Sequence, residues 1–415
     1  MKAVGVGLIW LVVFIARFSS QFQAEGNLRR LVGKEIRLGG RISSEPILQG
    51  GSQRFRINRV WVRTKRFPLY SYGENIQVAG TLQRKVVSSW YSRFSLMYPD
   101  VKVIEADRLR FIGLDWKETL MRFRKRIEVV YNRNLPEPEA SLLAGIVLGA
   151  KRGLPYGFWQ ALQRTGTLHI VVASGYNVTV VIGVVISYLA GWVKRRTAVV
   201  LGILSVMGYT VMAGAEPAIV RAAVMGSLAY FGQVLGRRAD GLRLLIAAVM
   251  LMLAYEPMLI FDVGFQLSVG ATTGLLLLGP WLGKLFDRVW LVGGDIRDSL
   301  AAQITVWPIL LITFGNLSVF AVLVNGLILW LVPVIMGLGA VLGVAGVVWR
   351  PLGQVMGWVV YGPLTLMVRM IEWFGAKEWM SLVVEGVSWW WGWGYYLVLG
   401  WLLVKFYRYS RKNVK

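Results

Sequence analysis

Long apolar runs recur from residue 167 to the C-terminal region of this chain, and they restrict its fold more than any other feature. The runs are about 16 to 27 residues long, and about 20 apolar residues in a helix cross the hydrocarbon core of a bilayer. Within lipid, only helices and closed barrels satisfy all of their backbone polar groups. Hydrophobic residues make up 56% of the 415 positions, and charged residues only 16%. The sequence therefore predicts a polytopic α-helical membrane protein.

The positions of lysine and arginine between these runs predict how the helices are threaded, because cytoplasmic loops are enriched in both residues. Basic clusters occur at residues 194–196, 237–238, 284–288 and 405–415. The apolar run 317–348 is longer than one span needs, and we predict that it crosses once as a broken or re-entrant helix. This threading predicts about ten spans with both termini in the cytoplasm.

The chain divides into four predicted regions. Residues 1–27 contain a short apolar run without a small-residue cleavage site, which predicts an uncleaved membrane anchor. In residues 28–112, short segments of alternating polar and apolar residues predict a small OB-like β-barrel domain outside the cytoplasm. Residues 113–138 predict a basic amphipathic helix that lies on the membrane surface or packs against the bundle. Residues 139–410 are predicted to form the transmembrane helical domain, which begins with a short apolar segment, 140–150, expected at the membrane interface.

The predicted β domain is strongly basic in a chain whose net charge is +24, and a basic domain attracts nucleic acid or anionic lipid. Its basic residues are interleaved with an aromatic one, a pattern that can follow a phosphate backbone and stack bases. The residues of this pattern are Arg54, Arg56, Arg59, Trp61, Arg63, Lys65 and Arg66. An alternative stays open, in which the apolar residues between them form the barrel core and the arginines are only its solvated face.

Several apolar runs contain polar side chains, and each polar group in lipid costs free energy unless it finds a partner. The polar residues in question are His169, Ser174, Asn177, Arg221, Asp262, Gln266 and Gln303. We predict that they converge on one polar path through the bundle. For single residues a structural role stays open: Asp262 can stabilise the N-terminus of a helix, and Asn or Gln can join helices by hydrogen bonds.

Cysteine and histidine usage restricts the chemistry of the chain. There is no cysteine and one histidine, so disulfides, thiolate chemistry and an ordinary zinc site are excluded. We expect no enzymatic activity, no metal and no cofactor.

Six motifs in fixed order carry a family resemblance. They are L-G-x-x-x-G-L-P (148–155), G-T-x-H-x-x-x-x-S-G (166–175), E-P-A-I-V-R-A-A-V-M (216–225), F-D-V-G-F-Q-L-S (261–268), A-A-Q-I-T-V-W-P (301–308) and F-G-N-L-S (314–318). At these residues the sequence resembles the ComEC-type competence family, the membrane channels of bacterial DNA uptake. The basic β domain in front of them agrees with the OB-like domain of that family.

The resemblance implies a protein of the bacterial cytoplasmic membrane that conducts single-stranded DNA during natural transformation, after the β domain has captured DNA outside. Arg221 is then expected to contact phosphate, because a guanidinium stays charged and can bind two oxygens. The implied partners are single-stranded DNA, membrane lipids and other competence proteins, namely a DNA receptor, a cytoplasmic motor and a separate nuclease. Whether the chain forms an oligomer is open.

Two departures from the family pattern affect this expectation. The family's usual S-G-L-H-V is S-G-Y-N-V here, so Asn177 replaces a histidine. The histidine-rich metallo-β-lactamase-like domain that the family often carries is expected to be missing, which makes this a short form.

Two other functions stay open: an envelope transporter of another polyanionic or lipid-linked substrate, and a membrane-anchored nucleic-acid-binding protein that conducts nothing.

Overall fold

The structure is a computed structural model, and it describes residues 2–412 except for eleven short internal gaps. The gaps are at 45, 50–51, 58–59, 71–72, 84–99, 109–115, 151–152, 172–174, 238–239, 287–292 and 385–386. The described residues form sixteen α-helices and a small β region near the N-terminus. This is the combination of classes that the sequence predicted.

The N-terminal helix α1 spans Lys2–Arg29 as one continuous element. Most of its described apolar side chains are exposed, including Leu8, Ile9 and Val12. Its indole Trp10 donates a hydrogen bond from Nε1 to the carbonyl oxygen of Met250 at 2.7 Å. The helix therefore packs against the helical body on one side and presents an apolar surface on the other, and its role as a membrane anchor stays a prediction.

The β region is a six-stranded sheet. Its strands are β1 (Glu35–Arg41), β2 (Ile47–Gln49), β3 (Ser52–Ile57), β4 (Val60–Lys65), β5 (Asn75–Gln83) and β6 (Asp100–Arg108). Their order is β1-β5-β6-β4-β3-β2, with antiparallel pairing except between β4 and β6, which are parallel. A bridge between Ile42 and Ile57 joins the end of β1 to the end of β3, so the sheet closes on itself.

Alternation of side chains forms the core of this sheet, because successive residues of a strand point to opposite faces. Phe55 and Val62 are cross-strand partners, and both are fully buried. They pack with Tyr70, Ile76 and Val78. The neighbouring polar residues Arg56 and Arg63 lie on the opposite face of these strands.

The helical body follows. Its helices are α2 (Trp116–Asn134), α3 (Glu139–Leu148), α4 (Tyr156–Thr165), α5 (Leu168–Val171), α6 (Gly175–Leu189), α7 (Arg195–Met212), α8 (Pro217–Val234), α9 (Gly241–Tyr255), α10 (Val263–Leu277), α11 (Gly279–Phe286), α12 (Gly293–Phe314), α13 (Ala321–Ile328), α14 (Leu331–Val348), α15 (Arg350–Gly375) and α16 (Trp389–Lys412). Two 3-10 turns lie at Pro257–Phe261 and Glu378–Met380. Strands β7 (Asn316–Ser318) and β8 (Ser381–Val383) pair as a small antiparallel sheet.

The short helix α3 lies at the centre of the largest apolar cluster, and all ten of its residues are buried. Its neighbours are α2, α5, α14 and α15. We expected this segment at the membrane interface because it is too short to span a bilayer. In the structure other helices bury α3, and its position relative to the membrane stays a prediction.

The long apolar run 317–348 is broken, as predicted, into β7, α13 and α14. The break falls at Leu329 and Trp330, ahead of Pro333. Pro333 lies in the first turn of α14, where its missing N–H would have had no partner within the helix. The proline is therefore compatible with the start of α14 and does not itself interrupt the run.

Among the described residues, α14 is the one helix both long and apolar enough to cross a bilayer. Five other apolar stretches are shorter, namely Gly7–Gln23, α3, α6, α9 and α10. The number of spans, about ten by the distribution of charge, stays a prediction.

Candidate functional site

Arg221 of the helical body is a cation with 9% of its surface exposed and no ion-pair partner among the described residues. It lies on α8, which begins with Pro217 at its first position, where the fixed backbone angle of proline suits a helix start. Its Nε donates a hydrogen bond to Oγ of Ser268 on α10 at 2.7 Å. Its Nη1 lies 3.3 Å from Sδ of Met225.

The helices around Arg221 approach closely. A Cβ on Gly175, the first residue of α6, would lie 3.3 Å from Nη2 of Arg221 and 3.1 Å from Cβ of Ala222. The guanidinium therefore lies where α6, α8 and α10 meet. No carboxylate pairs with Arg221 in the part of the chain that the structure describes.

Asn177 and His169 occupy the two helices on either side of the gap at 172–174. Asn177 is 1% exposed and donates a hydrogen bond from Nδ2 to the carbonyl oxygen of Ile146 at 2.7 Å, which joins α6 to α3. His169 is exposed, and its Nδ1 lies 3.0 Å from the carbonyl oxygen of Gly166. Ser174 lies outside the described residues.

The other three predicted path residues make hydrogen bonds close to their own positions in sequence. Asp262 caps α10, because its Oδ1 accepts a hydrogen bond from the backbone N–H of Phe265 at 2.8 Å. Nε2 of Gln266 donates to the carbonyl oxygen of Ile260 at 2.8 Å. Oε1 of Gln303 accepts from Nε1 of Trp307 at 2.6 Å within α12.

These contacts distribute the predicted path residues over several helix junctions. Arg221 and Ser268 are in contact, and Gly175 adjoins them. Asp262 and Gln266 lie near the start of the same α10 that carries Ser268. Asn177 faces α3 instead. Whether these side chains line one path stays a prediction.

Two polar residues of this body were not singled out from the sequence. Ser268 is the last residue of the motif F-D-V-G-F-Q-L-S, but it lies about 120° around a helix from Asp262, so periodicity did not indicate it. Arg124 of α2 is 3% exposed and forms an ion pair with Glu128 (Nε to Oε1, 3.1 Å). Its Nη1 donates to the carbonyl oxygen of Met212 at the end of α7 at 2.7 Å. The i, i+4 spacing of Arg124 and Glu128 was the signal available in the sequence.

The basic residues of β3 and β4 share one face of these two neighbouring strands. The register pairs Arg54 with Arg63 and Arg56 with Trp61, so these side chains lie on the same face of β3 and β4. The guanidinium of Arg54 lies 4.5 Å above the ring centre of Trp61, within the range of a cation–π contact. Lys65 is exposed at the end of β4.

One further described residue of the basic pattern, Arg66, directly follows β4. The guanidinium of Arg66 lies 5.6 Å from the ring centre of Phe67, which is 68% exposed. Arg59 lies outside the described residues. The apolar partners Phe55, Ile57 and Val62 are buried, as both interpretations of the alternation require. The face formed by Arg54, Arg56, Trp61, Arg63 and Lys65 is called the β3–β4 basic face below.

Comparison with known proteins relates this chain to a protein family. A family model described as Competence protein matches residues 146–409. The chain is similar to ComE operon protein 3 of Bacillus subtilis (strain 168), with 26% identity over 213 residues, 51% of this chain and 27% of that protein. It is also similar to Recombination protein 2 of Haemophilus influenzae, with 24% identity over 201 residues, 44% of this chain and 26% of that protein. The matched region spans about a quarter of the length of these relatives.

Proposed function

The chain belongs to the competence protein family, and on that premise we propose that it conducts single-stranded DNA across the bacterial cytoplasmic membrane during natural transformation. Family membership and the mostly helical body together indicate a membrane protein with a role in competence. The β3–β4 basic face is proposed to capture DNA outside the cytoplasm, and the helical body to pass it inward.

The observation that carries the proposal is the buried guanidinium of Arg221, whose contacts are to the uncharged side chains of Ser268 and Met225. A buried cation is costly unless a negative charge or strong acceptors compensate it. Nη2 donates no hydrogen bond to a described residue. A passing phosphate would supply both the missing charge and an acceptor for this nitrogen, and it would then be released.

A role as a purely structural connection explains Arg221 less well. An uncharged residue could join α8 to Ser268 without the cost of a buried charge. Asp262, by contrast, has a complete structural role as the cap of α10, and a carboxylate would repel phosphate. We therefore propose Arg221 as the phosphate contact and treat Asp262 as a residue that fixes the start of α10.

The strand order of the β region supports the capture step. Five of its strands form a ring in the order β1-β3-β4-β6-β5, closed by the bridge between Ile42 and Ile57. This ring suits an OB-like barrel, a class that binds oligonucleotides on its second and third strands. The second and third strands of the ring are β3 and β4, which carry the basic face.

The small sheet β7–β8 supports the proposed threading of about ten spans. Its strands follow α12 and α15, so the C-terminal ends of these two helices lie on the same side of the body. The distribution of lysine and arginine assigns both ends to the outer side. The basic connections near Arg195 and Arg237 would then face the cytoplasm.

Uptake of fluorescent DNA by cells tests the proposal directly. A strain that lacks this chain should bind DNA at its surface but transfer none to the cytoplasm, and expression of the chain should restore transfer. Loss of surface binding in the deletion strain, with binding but not transfer regained on expression of the chain, would favour a non-conducting nucleic-acid-binding protein. Unchanged DNA transfer in the deletion strain would favour the envelope transporter. The same assay tests the proposed partners in strains that lack the DNA receptor, the motor or the separate nuclease.

A further inference from the structure

Helix α2 exposes a stripe of cations on one face. Arg122, Arg126, Val129 and Arg133 are exposed and recur at intervals of four, three and four residues, which places them within an arc of about 60° on a helix of 3.6 residues per turn. Lys125 lies beside them and is also exposed. Lys125, Arg126 and Arg133 have no hydrogen-bond or ion-pair partner among the residues that the structure describes. This stripe is called the α2 basic face below.

The opposite face of α2 packs into the apolar body. Ile127, Val130 and Tyr131 are buried in the largest apolar cluster, and Arg124 is buried beside them. The hydroxyl of Tyr131 donates a hydrogen bond to the carbonyl oxygen of Gly339 on α14 at 2.8 Å. The apolar side of α2 is therefore buried in the protein interior, and its charged side points away from the body.

The contacts of α2 fix its depth along α14, the helix long and apolar enough to span a bilayer. A Cβ on Gly343 would lie 2.8 Å from Cγ2 of Ile127, so α2 lies directly against the second half of α14. Further along α2, a Cβ on Gly357 of α15 would lie 3.1 Å from Cβ of Asn134. The segment 127–134 therefore runs beside the second half of α14 and the first turns of α15.

An apolar surface of α14 and the cationic surface of α2 lie side by side at this depth. Val341 and Val344 of α14 are 52% and 55% exposed, as expected of side chains that contact lipid tails. The α2 basic face carries Arg126 and Arg133 at the level of the same helix. Arginine in contact with lipid tails is strongly disfavoured, and charged residues at this depth usually face a bundle interior or a water-filled space.

The other end of α2 adjoins the β region. A Cβ on Gly73, in the loop before β5, would lie 3.5 Å from Cγ of Met121 on α2. From Arg122 to Arg133 the stripe extends for about 16 Å along the helix axis. The α2 basic face therefore leads from the β region to the depth of α14.

We propose that the α2 basic face borders a water-filled groove at the depth of α14 and binds the phosphates of single-stranded DNA between the β3–β4 basic face and the interior of the body. This inference rests on the proposed function and assigns a second wall to the path. The occupant is a polyanion because the described side chains of the stripe between residues 122 and 133 are cationic or neutral. The chemistry fits the sugar-phosphate backbone and requires no base recognition.

Cysteine labelling of the full chain in its membrane tests whether this face contacts water, since the natural chain has no cysteine. Arg126→Cys and Arg133→Cys should react with a membrane-impermeant maleimide added outside. Val341→Cys and Val344→Cys, exposed positions on α14, are the matched controls and should stay unreacted. Unreactive cysteines at 126 and 133 would overturn the inference, because the face would then be covered by lipid or by a second copy of the chain.

Labelling in the presence of single-stranded DNA distinguishes a groove that binds nucleic acid from a surface that only contacts water. DNA should slow the labelling of Arg126→Cys and Arg133→Cys and leave Lys377→Cys, on the connection after α15, unaffected. Protection by vesicles of anionic lipid but not by DNA would overturn the inference in favour of a headgroup site. These measurements need no transfer of DNA, so their failure is distinct from failure of the proposed function.

Charge removal tests the same face in cells. The triple variant Lys125→Gln, Arg126→Gln, Arg133→Gln should lower DNA transfer by about tenfold or more, because three cations that bind phosphate are removed together. The control Arg369→Gln, Lys377→Gln removes exposed cations from α15 and the connection after it and should transfer DNA normally. Normal transfer by the triple variant, in a strain whose wild-type chain transfers DNA, would overturn the inference while leaving the proposed function intact. If the triple variant fails to accumulate, Arg126→Lys with Arg133→Lys should accumulate and transfer DNA, and the labelling result decides.

Discussion

Nε of Arg221 donates a hydrogen bond to the hydroxyl of Ser268 at 2.7 Å, and this contact joins α8 to α10 within two turns of the start of both helices. The acceptor is neutral, so the bond orients the guanidinium without neutralising it. Nη2 is left beside Gly175, where α6 can approach because that residue has no side chain. An oriented and uncompensated cation is suited to a transient anionic ligand.

The first prediction concerns the charge of Arg221. Arg221→Ala should lower DNA transfer by about 30-fold or more, because removal of a buried charge from a charge pair costs about 2–5 kcal/mol. Arg221→Lys should retain part of the activity, since it keeps the charge but loses the planar fork. DNA transfer is measured at equal protein level, with the exposed Arg243→Ala on α9 as the matched control. Wild-type transfer by Arg221→Ala would show that Arg221 does not contact the substrate.

The second prediction concerns the orientation of the same group. Ser268→Ala keeps the charge of Arg221 but removes its hydrogen-bond acceptor. A hydrogen bond to a charged group contributes about 1.5–3 kcal/mol, so DNA transfer should fall by about tenfold, less than in Arg221→Ala. Thr272→Ala, one turn further along α10, removes a hydroxyl that bonds only to the backbone of its own helix and serves as the control. A Ser268→Ala chain that transfers DNA normally would mean that other contacts orient Arg221.

The sequence predicted those parts of the structure that depend on local periodicity. Alternation in residues 53–62 predicted Phe55 and Val62 as core residues of the β region, and both are fully buried. The long apolar runs predicted a mostly helical body. Composition and periodicity suffice here because one face of each element must avoid water.

The remainder depends on which helices become neighbours, and a single sequence does not contain that information in readable form. The central position of α3 is an example, because a ten-residue apolar helix is equally suited to a membrane interface and to a protein interior. Arg124 is a second example: the other cations described between residues 122 and 133 of α2 are exposed, and Arg124 is buried because the end of α7 supplies the carbonyl of Met212. The capping role of Asp262 was open from the sequence, and only the geometry showed which N–H it accepts from.

The third prediction concerns the β3–β4 basic face. Purified full-length chain in lipid nanodiscs should bind single-stranded DNA with little sequence preference, and the logarithm of its affinity should fall with the logarithm of salt concentration. Arg54→Gln with Arg63→Gln should reduce that slope by about 0.7 for each phosphate that the variant no longer binds. Trp61→Ala should weaken binding by about 1–3 kcal/mol through loss of base stacking. Arg37→Gln, an exposed arginine on β1, is the control. Affinity that does not change with salt would exclude this face as the DNA receptor.

The fourth prediction concerns threading. Single cysteines at Lys65 in the β region and at Val383 in β8 should react with an impermeant reagent in intact cells. A cysteine at Arg196, in the first turn of α7, should react only after permeabilisation. The expected pattern follows from the pairing of β7 with β8 and from the basic clusters on the opposite side. Reaction of the Arg196 cysteine in intact cells would reverse the proposed orientation and place the β3–β4 basic face inside.

The fifth prediction tests the close packing of α10 against α12. A Cβ on Gly274 would overlap the carbonyl oxygen of Ala301 and the hydroxyl of Thr305, so Gly274→Ala must push the two helices apart. Overpacking of this kind costs about 1–3 kcal/mol, and we expect a lower melting temperature and less chain in the membrane. The matched control is Gly183→Ala on α6, where a Cβ would meet no atom within 4 Å. That change should leave stability unchanged or slightly raised, since alanine restricts the unfolded chain more than glycine does.

Because α10 carries Ser268, the separation should also displace the hydroxyl that Arg221 binds, so Gly274→Ala should lose DNA transfer beyond its loss of protein. Equal melting temperatures for Gly274→Ala and Gly183→Ala would show that α10 and α12 do not pack closely at Gly274.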